Sequence, residues 1–296
     1  MPSQPPLATA YWNDPRSKAA FCELARDCFG LDFSAFDAAG YWDDAYRPFT
    51  FFDSEGRALA NVCAYSMDLV VAGRPVRAVQ LSTVATRPEF RRQGLARVLV
   101  DRAVDWARAS GHEFTYLFAN NDALGFYSAL GFRPLAERST TLLLDRVPTL
   151  RSGARILDLS AAADRDLLFS LATNRTPVSA ELGAHNGRLL MFHALGSHRS
   201  GTVHIPSMDT VVLLSRSGGT LTLFDVVARR LPSLADLLPY IGAETDREIE
   251  FRFMPEGLGD LSALGRPESR PADNGLHVRG TVPLQPGRLF PATSQA

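Results

Sequence analysis

A chain of 296 residues, 46% hydrophobic and 21% charged, is long enough for two packed domains and too apolar to stay disordered. A net charge of −1 excludes a broad nucleic-acid-binding surface, and no run of about 18 apolar residues marks a membrane span. The opening MPSQPPLATAYW lacks the order of a secretory leader, and Cys22, Cys28 and Cys63 show no metal-ligand spacing, so a reducing, cytoplasmic setting without a metal is expected.

Residues 15–29 carry Ala19, Phe21, Cys22, Leu24, Ala25 and Cys28 at helical spacing and predict a helix. Residues 47–53 predict a strand, with a turn at Ser54–Arg57. Ala58–Val71 and Val76–Thr86 predict two more, joined by the hairpin turn Ala72-Gly73-Arg74-Pro75. The β-branched Val76, Val79, Thr83, Val84 and Thr86 suit a pleated surface. Pro88 stops the pairing, and a helix begins near Gly94, where Leu95, Leu99, Ala103 and Trp106 form one stripe that Ser110-Gly111 ends. Phe114–Phe118 predicts a short strand, Ala123–Leu130 a short helix closed by Gly131, and Leu142–Leu144 a strand completing the unit.

The polar connection over 145–155 predicts a boundary, giving a first domain at 1–145, a linker at 146–155 and a second domain at 156–296. In the second part Asp164–Thr173 predicts a helix. Leu189–Ala194, Val203–Ile205, Thr210–Ser215 and Thr220–Val227 predict strands, Leu231–Ile241 a helix and Glu248–Phe253 a strand. Residues 255–275 are rich in Gly and Pro and predict long surface loops, before a closing segment through RLFPATSQA. His185, His193, His198 and His204 lack a metal-binding rationale and read as ordinary polar residues.

Chemistry concentrates between residues 84 and 132. The run Arg91-Arg92-Gln93-Gly94-Leu95-Ala96-Arg97 places a basic pair and a glycine at the start of a helix, where free backbone N–H groups and the helix dipole favour an anion. Its spacing, Arg-x-x-Gly-x-Ala, is neither the dinucleotide fingerprint nor the P-loop. About 25 residues on stands Asn120-Asn121-Asp122-Ala123-Leu124-Gly125-Phe126-Tyr127-Ser128-Ala129-Leu130-Gly131-Phe132.

Together these resemble the GNAT superfamily of acetyl-CoA-dependent N-acetyltransferases over roughly residues 7–145: a strand, (Gln/Arg)-x-x-Gly-x-(Gly/Ala), a helix, a strand and Asn-x-x-Ala-x-x-Phe-Tyr-x-x-x-Gly-Phe. The resemblance implies an α/β (α+β) GNAT fold, a mixed, mostly antiparallel sheet flanked by helices. It implies acetyl-CoA as co-substrate and a primary amine as partner. Val84, Ala85 and Thr86 would offer backbone to the pantetheine arm, Arg91 to Arg97 would hold the pyrophosphate, and Asn120 and Ala123 would flank the pantetheine. A backbone N–H near Val84 would stabilise the oxyanion, and Tyr127 would protonate the leaving thiolate. An alkylamine has a pKa of about 10.4 and arrives protonated, so a base is needed. Some members carry a carboxylate on the strand before the loop, but Val76–Thr86 has no Asp or Glu. The alternatives are a water chain through Gln80, Ser82 or Thr83, help from Asp68, or the carboxylate of Ala296, as in the tandem-domain enhanced-intracellular-survival aminoglycoside acetyltransferases that the two-domain arrangement resembles.

The second domain reads as a degenerate copy of the fold. Ala228-Arg229-Arg230-Leu231-Pro232-Ser233 stands where the loop would be, without its glycine, so no acetyl-CoA is expected there. Nine acidic against five basic side chains in residues 1–60 suit a cationic amine, although a solvated surface explains them equally, and Trp12, Tyr41, Trp42 and Tyr46 line a pocket or fill core. The competing function is a non-catalytic acyl-CoA-binding sensor, kept alive by the absent strand carboxylate. Homo-oligomerisation stays open.

Overall fold

The computed structural model describes residues 5–146 and 149–296. After strand β1 (Leu7–Thr9), helix α1 (Pro15–Phe29) is specified at both ends. Asp14 accepts from the N–H groups of Arg16 and Ser17, Pro15 sits in the first turn, and Gly30 closes the helix at φ 69°. Helix α2 (Ser34–Ala38) leads to strands β2 (Tyr46–Phe52), β3 (Ala58–Val71) and β4 (Arg74–Thr86). Helix α3 (Leu95–Ala109), strand β5 (Phe114–Phe118), helix α4 (Leu124–Ser128) and strands β6 (Arg133–Pro134), β7 (Glu137–Leu144) and β8 (Arg155–Ile156) follow. The second half runs α5 (Ala162–Thr173), β9 (Leu182–Ala184), α6 (Gly187–Leu195), β10 (Thr202–Ile205), β11 (Thr210–Ser217) and β12 (Thr220–Ala228). It ends with α7 (Leu234–Ile241), β13 (Glu248–Phe251), β14 (Gly265–Ala272) and β15 (Leu276–Gly280).

The strands form two mixed sheets. The first has the order β1-β2-β3-β4-β5-β15-β6, with β9 beside the hairpin end of β3. Among its described strands only β4 and β5 run parallel, bridged by α3. The second, β14-β7-β13-β12-β11-β10-β8, repeats the device with β12 and β13 parallel and α7 between them. The expected fold class, a mostly antiparallel mixed sheet with helices followed by a second copy, is the one observed.

Two strands lie in the sheet of the other half. β7, expected to complete the first unit, pairs with β13 and β14 in the second sheet, where Leu142 is fully buried. β15 fills the place between β5 and β6, burying Leu276 and Val278. The expected linker at 146–155 includes Val147 and Pro148, which lie outside the described residues. Residues 189–194, expected as a strand, belong to α6: Leu189, Leu190, Met191 and Ala194 are buried and Phe192, His193 and Leu195 partly so, so that apolar residues cover most of its circumference and leave only a weak amphipathic stripe. Within the expected loops of 255–275, β14 is an edge strand. Its Pro267 and Pro271 have the same parity, so the N–H groups they lack fall on one side of it.

Three cores result. α3 buries Leu95, Leu99, Val100 and Ala103 against one face of the first sheet, while Trp106, expected on that stripe, is only partly buried and packs its ring under Arg47. α7 covers the second sheet with Leu234, Leu237, Leu238 and Ile241. The largest core joins the halves, running from Trp12, Phe21 and Tyr116 to Leu168, Met191, Val211 and Phe290. Arg87, 4% exposed at the end of β4, pins α1 to the sheet by donating to Glu23 and Asp27, each at 2.8 Å, and to the Ala58 carbonyl at 2.8 Å.

Candidate active site

The site is built on a defect in the β3–β4 ladder. The strands stay in register from Val71 opposite Arg74 to Cys63 opposite Ser82, then slip, so that Asn61 faces Ala85 and Thr83 and Val84 share the place opposite Val62. Thr83 sits at φ 47°, uncommon for a β-branched residue. A buried polar chain holds it there. Asn61 Nδ2 donates to the Thr83 carbonyl at 2.9 Å, Thr50 Oγ1 donates to Asn61 Oδ1 at 2.6 Å, and hydroxyl contacts join Tyr11 to Thr50 and Tyr46 to Thr83. On its other edge β4 pairs with β5 only from Ala78 to Gln80, so its end splays open.

A groove of about 720 Å³ runs along this opening. Of the residues that the sequence assigned to the cofactor or to catalysis, Val84, Ala85, Thr86, Arg91, Arg92, Gly94, Leu95, Ala96, Arg97, Asn120, Ala123 and Tyr127 are brought together along this groove. Gln93 is the exception: it is not part of the wall, and its amide turns back to the Glu89 carbonyl at 3.4 Å. Phe90, Asp122 and Phe126, the last two within the second signature, also line the groove, and Cys28 and Phe29 complete the wall without any local signal, because they arrive from the end of α1 through tertiary packing.

The loop's conformation explains its donor chemistry. Arg92 is left-handed at φ 62° and Gly94 at φ 81°, and successive N–H groups around such residues converge into an anion-binding concavity. α3 starts without a side-chain cap, leaving its first N–H groups free. A Cβ on Gly94 would meet nothing within 4 Å, so glycine is required by the backbone angle rather than by crowding. These donors, with Arg92 and Arg97 beside them, fit the pyrophosphate of a CoA ester. The corresponding helix of the second half is closed: Ser233 accepts from the Asp236 N–H and caps α7 itself. Tyr127 is 6% exposed, edge-on to Phe126 and Phe132, and burial pushes its hydroxyl up to about 12.

A second cavity of about 150 Å³ lies on the other side of the bulge. Tyr41, Trp42 and Tyr46 line it, whereas Trp12 is core, stacked behind Trp42 at 4.3 Å. Phe33, Phe36, Phe192, Thr83 and Ala296 are also in its wall, and of these α2 and α6 supply rings that sequence reading missed. Asp68 is elsewhere: it stands opposite Arg77 and lines a separate polar groove with His112 and His185, which removes it from the reacting groups.

The terminal segment is threaded between the halves. Phe290 stacks on Tyr116 at 4.5 Å, and its N–H donates to Glu137 Oε1 at 3.0 Å. Thr293 donates to Asp225, itself paired with Arg175 inside the second half. His193 Nε2 meets the Gln295 carbonyl at 2.7 Å, and Gln80 Nε2 donates to the Ala296 oxygen at 3.3 Å. His193, expected to be an ordinary polar residue, is thus a tether. Burial lowers its pKa to about 4 and raises that of Glu137 to about 7. Among the described residues no three His, Cys, Asp or Glu side chains group as a metal site, and no helix is long and apolar enough to cross a membrane.

A splayed parallel strand pair, an uncapped helix start and a left-handed basic loop together form a groove suited to an anionic, extended ligand. Residues 16–135 match the Acetyltransferase (GNAT) domain family, so the chain carries a GNAT acetyltransferase domain. Its fold is similar to that of a conserved protein of Enterococcus faecalis described as a probable N-acyltransferase (11% identity, 93% of this chain and 71% of that one, TM-score 0.61). It is also similar to Eis1 of Mycobacterium abscessus (16% identity, 89% and 70%, TM-score 0.56) and to a GCN5-related N-acetyltransferase of Kribbella flavida (15%, 92% and 70%, TM-score 0.54). No curated protein matches the chain in sequence.

Proposed function

We propose that the protein transfers an acetyl group from acetyl-CoA to a primary amine. The observation that carries this reading is that consecutive residues of one bulge open onto different cavities, Val84 onto the groove and Thr83 onto the aromatic cavity. Donor and acceptor would then be divided only by that bulge. Acetyl-CoA, bound in the groove, supplies the acetyl thioester. The N–H groups at the start of α3, with Arg92 and Arg97, hold the pyrophosphate, and Val84 to Thr86 run beside the pantetheine with Asn120 and Ala123 on the other flank. The Val84 N–H is the donor for the charge that develops on the carbonyl oxygen.

Tyr127 keeps its proton at any working pH, because its hydroxyl lies near 12. A thiol has a pKa of about 8.5, so Tyr127 shares its proton with the developing thiolate rather than surrendering it early. The carboxyl group of Ala296, held by Gln80 at the rim of the aromatic cavity, takes the proton from the amine. The unpaired Cys22, Cys28 and Cys63 support a reducing, cytoplasmic setting. A second reading, an acyl-CoA-binding sensor without turnover, draws on the lack of any acidic side chain on β4.

One experiment separates them: calorimetric titration with acetyl-CoA alongside amine-dependent release of the CoA thiol. Gly94→Val is expected to weaken acetyl-CoA binding by about 100-fold, because valine resists φ 81°. Tyr127→Phe, removal of residues 294–296, or an extension by two residues past Ala296 should each leave binding intact and cut turnover by about 100-fold. Binding with no amine-stimulated release makes the protein a sensor, and full turnover in the shortened chain removes Ala296 from the chemistry.

A further inference from the structure

The acceptor cavity differs in chemistry from the groove. Phe33 lies 5.3 Å from Phe192 and 5.1 Å from Trp42, and Phe36 stands 5.1 Å from Trp42, so rings form most of the wall. The volume of about 150 Å³ is that of an apolar cavity which holds one benzene-sized group. Asp43 is the only acidic side chain in the wall, and Arg188 already pairs with it at 2.7 Å. The Trp42 indole N–H is the only buried side-chain polar atom of this wall without a partner among the described residues. Groups able to meet a reacting amine, Thr83, Tyr46 and the Ala296 carboxyl, are all contributed by the strands and the terminal segment rather than by the ring cluster.

We propose that the acceptor is a primary amine on a short linker that bears one ring-sized apolar group, an arylalkylamine in chemical class, with the ring in the Phe33–Phe36–Trp42–Phe192 cage. This rests on the transferase reading above and narrows its substrate. A polyhydroxylated amine would strand most of its hydroxyls against the Phe33, Phe36, Trp42 and Phe192 rings, since the polar groups of the wall are few and most are already paired. A polyamine would bury a second ammonium where the one acidic side chain, Asp43, is already paired with Arg188 and the Ala296 carboxyl is engaged by the reacting amine.

The test compares 2-phenylethylamine, ethylamine, spermidine and kanamycin as acceptors with the full chain, by CoA release and by mass of the product. Calorimetry of each amine in the presence of CoA gives binding apart from turnover. 2-Phenylethylamine is expected to exceed ethylamine in kcat/KM by about 30-fold, the value of burying one ring, and to exceed spermidine and kanamycin as well. Leu31→Trp fills the cavity from its partly exposed rim and should remove most of that advantage, with acetyl-CoA affinity unchanged. Phe192→Ala, which enlarges the cage, should move the preference to 2-(1-naphthyl)ethylamine, so that a folding defect in one variant does not decide the matter. Kanamycin or spermidine equal to 2-phenylethylamine, or 2-phenylethylamine indifferent to Leu31→Trp, overturns the assignment. Transfer to spermidine with no binding of 2-phenylethylamine leaves the transferase standing and sinks only the substrate class. Binding of 2-phenylethylamine, lost in Leu31→Trp, without transfer to any amine sinks the transferase reading and keeps the cage.

Discussion

Asn61 is a buried amide in an otherwise apolar stretch of β3, and its hydrogen bonds account for the shape of the site. Its amide group donates to the Thr83 carbonyl and its oxygen accepts from Thr50, which fixes the residue at φ 47° between the two cavities. Asn61→Ala leaves the Thr83 carbonyl without its side-chain partner and Thr50 with Tyr11 alone, which costs about 1–3 kcal/mol. The strained angle at Thr83 also loses its restraint. The expected outcome is a lower melting temperature together with a turnover loss of about tenfold or more at unchanged acetyl-CoA affinity. A variant that is destabilised but turns over normally would separate the bulge from the chemistry. The loop of residues 91–97 was legible because its function lies in local backbone and composition. The role of Asn61 was not, because it depends on a slip in pairing between two strands.

At the scale of elements, the terminal segment is held by two groups with opposed pH responses. Burial raises Glu137 to about 7 from an ordinary value near 4.5, so the folded state favours its protonated form. That contribution, about 3 kcal/mol at 1.36 kcal/mol per unit, is present below about pH 4.5 and is lost as pH rises through 7. His193 is lowered from 6.5 to about 4, so its contribution is present above pH 6.5 and is lost as pH falls through 4. Glu137→Gln keeps the acceptor for the Phe290 N–H and removes the charge. It is expected to raise the melting temperature at pH 8 by about 5 °C and to match the parent protein near pH 4, below the unfolded pKa, as read by a thermal melt at each pH. An equal effect at both pH values would show that burial does not raise the Glu137 carboxyl in the fold. α1, β3 and β5 follow from their sequence with almost the same bounds, since each carries a clear period or clear end signals. α6 and β14 do not, the first because apolar residues around most of its circumference blur its stripe and the second because its prolines belong to an edge.

For the whole molecule, the exchange of β7 and β15 makes the two sheets interdependent. Residues 1–145 contain a strand whose partners lie in the second sheet and lack the strand that seals β5 to β6. Expressed alone, that fragment is expected to be insoluble or to give poorly dispersed amide signals in a nitrogen–proton correlation spectrum, whereas the full chain unfolds in one transition with acetyl-CoA shifting it upward. A well-dispersed fragment would mean that β15 is dispensable. The pairing of β15 with β5 also has a consequence for biosynthesis. A ribosome that has released every residue of the GNAT signature still has about half of the chain to translate before β15 emerges. Until then the exposed edge of β5 is an adhesive surface that a nascent chain must keep from its neighbours, so slowing translation late in the message should raise aggregation more than slowing it early.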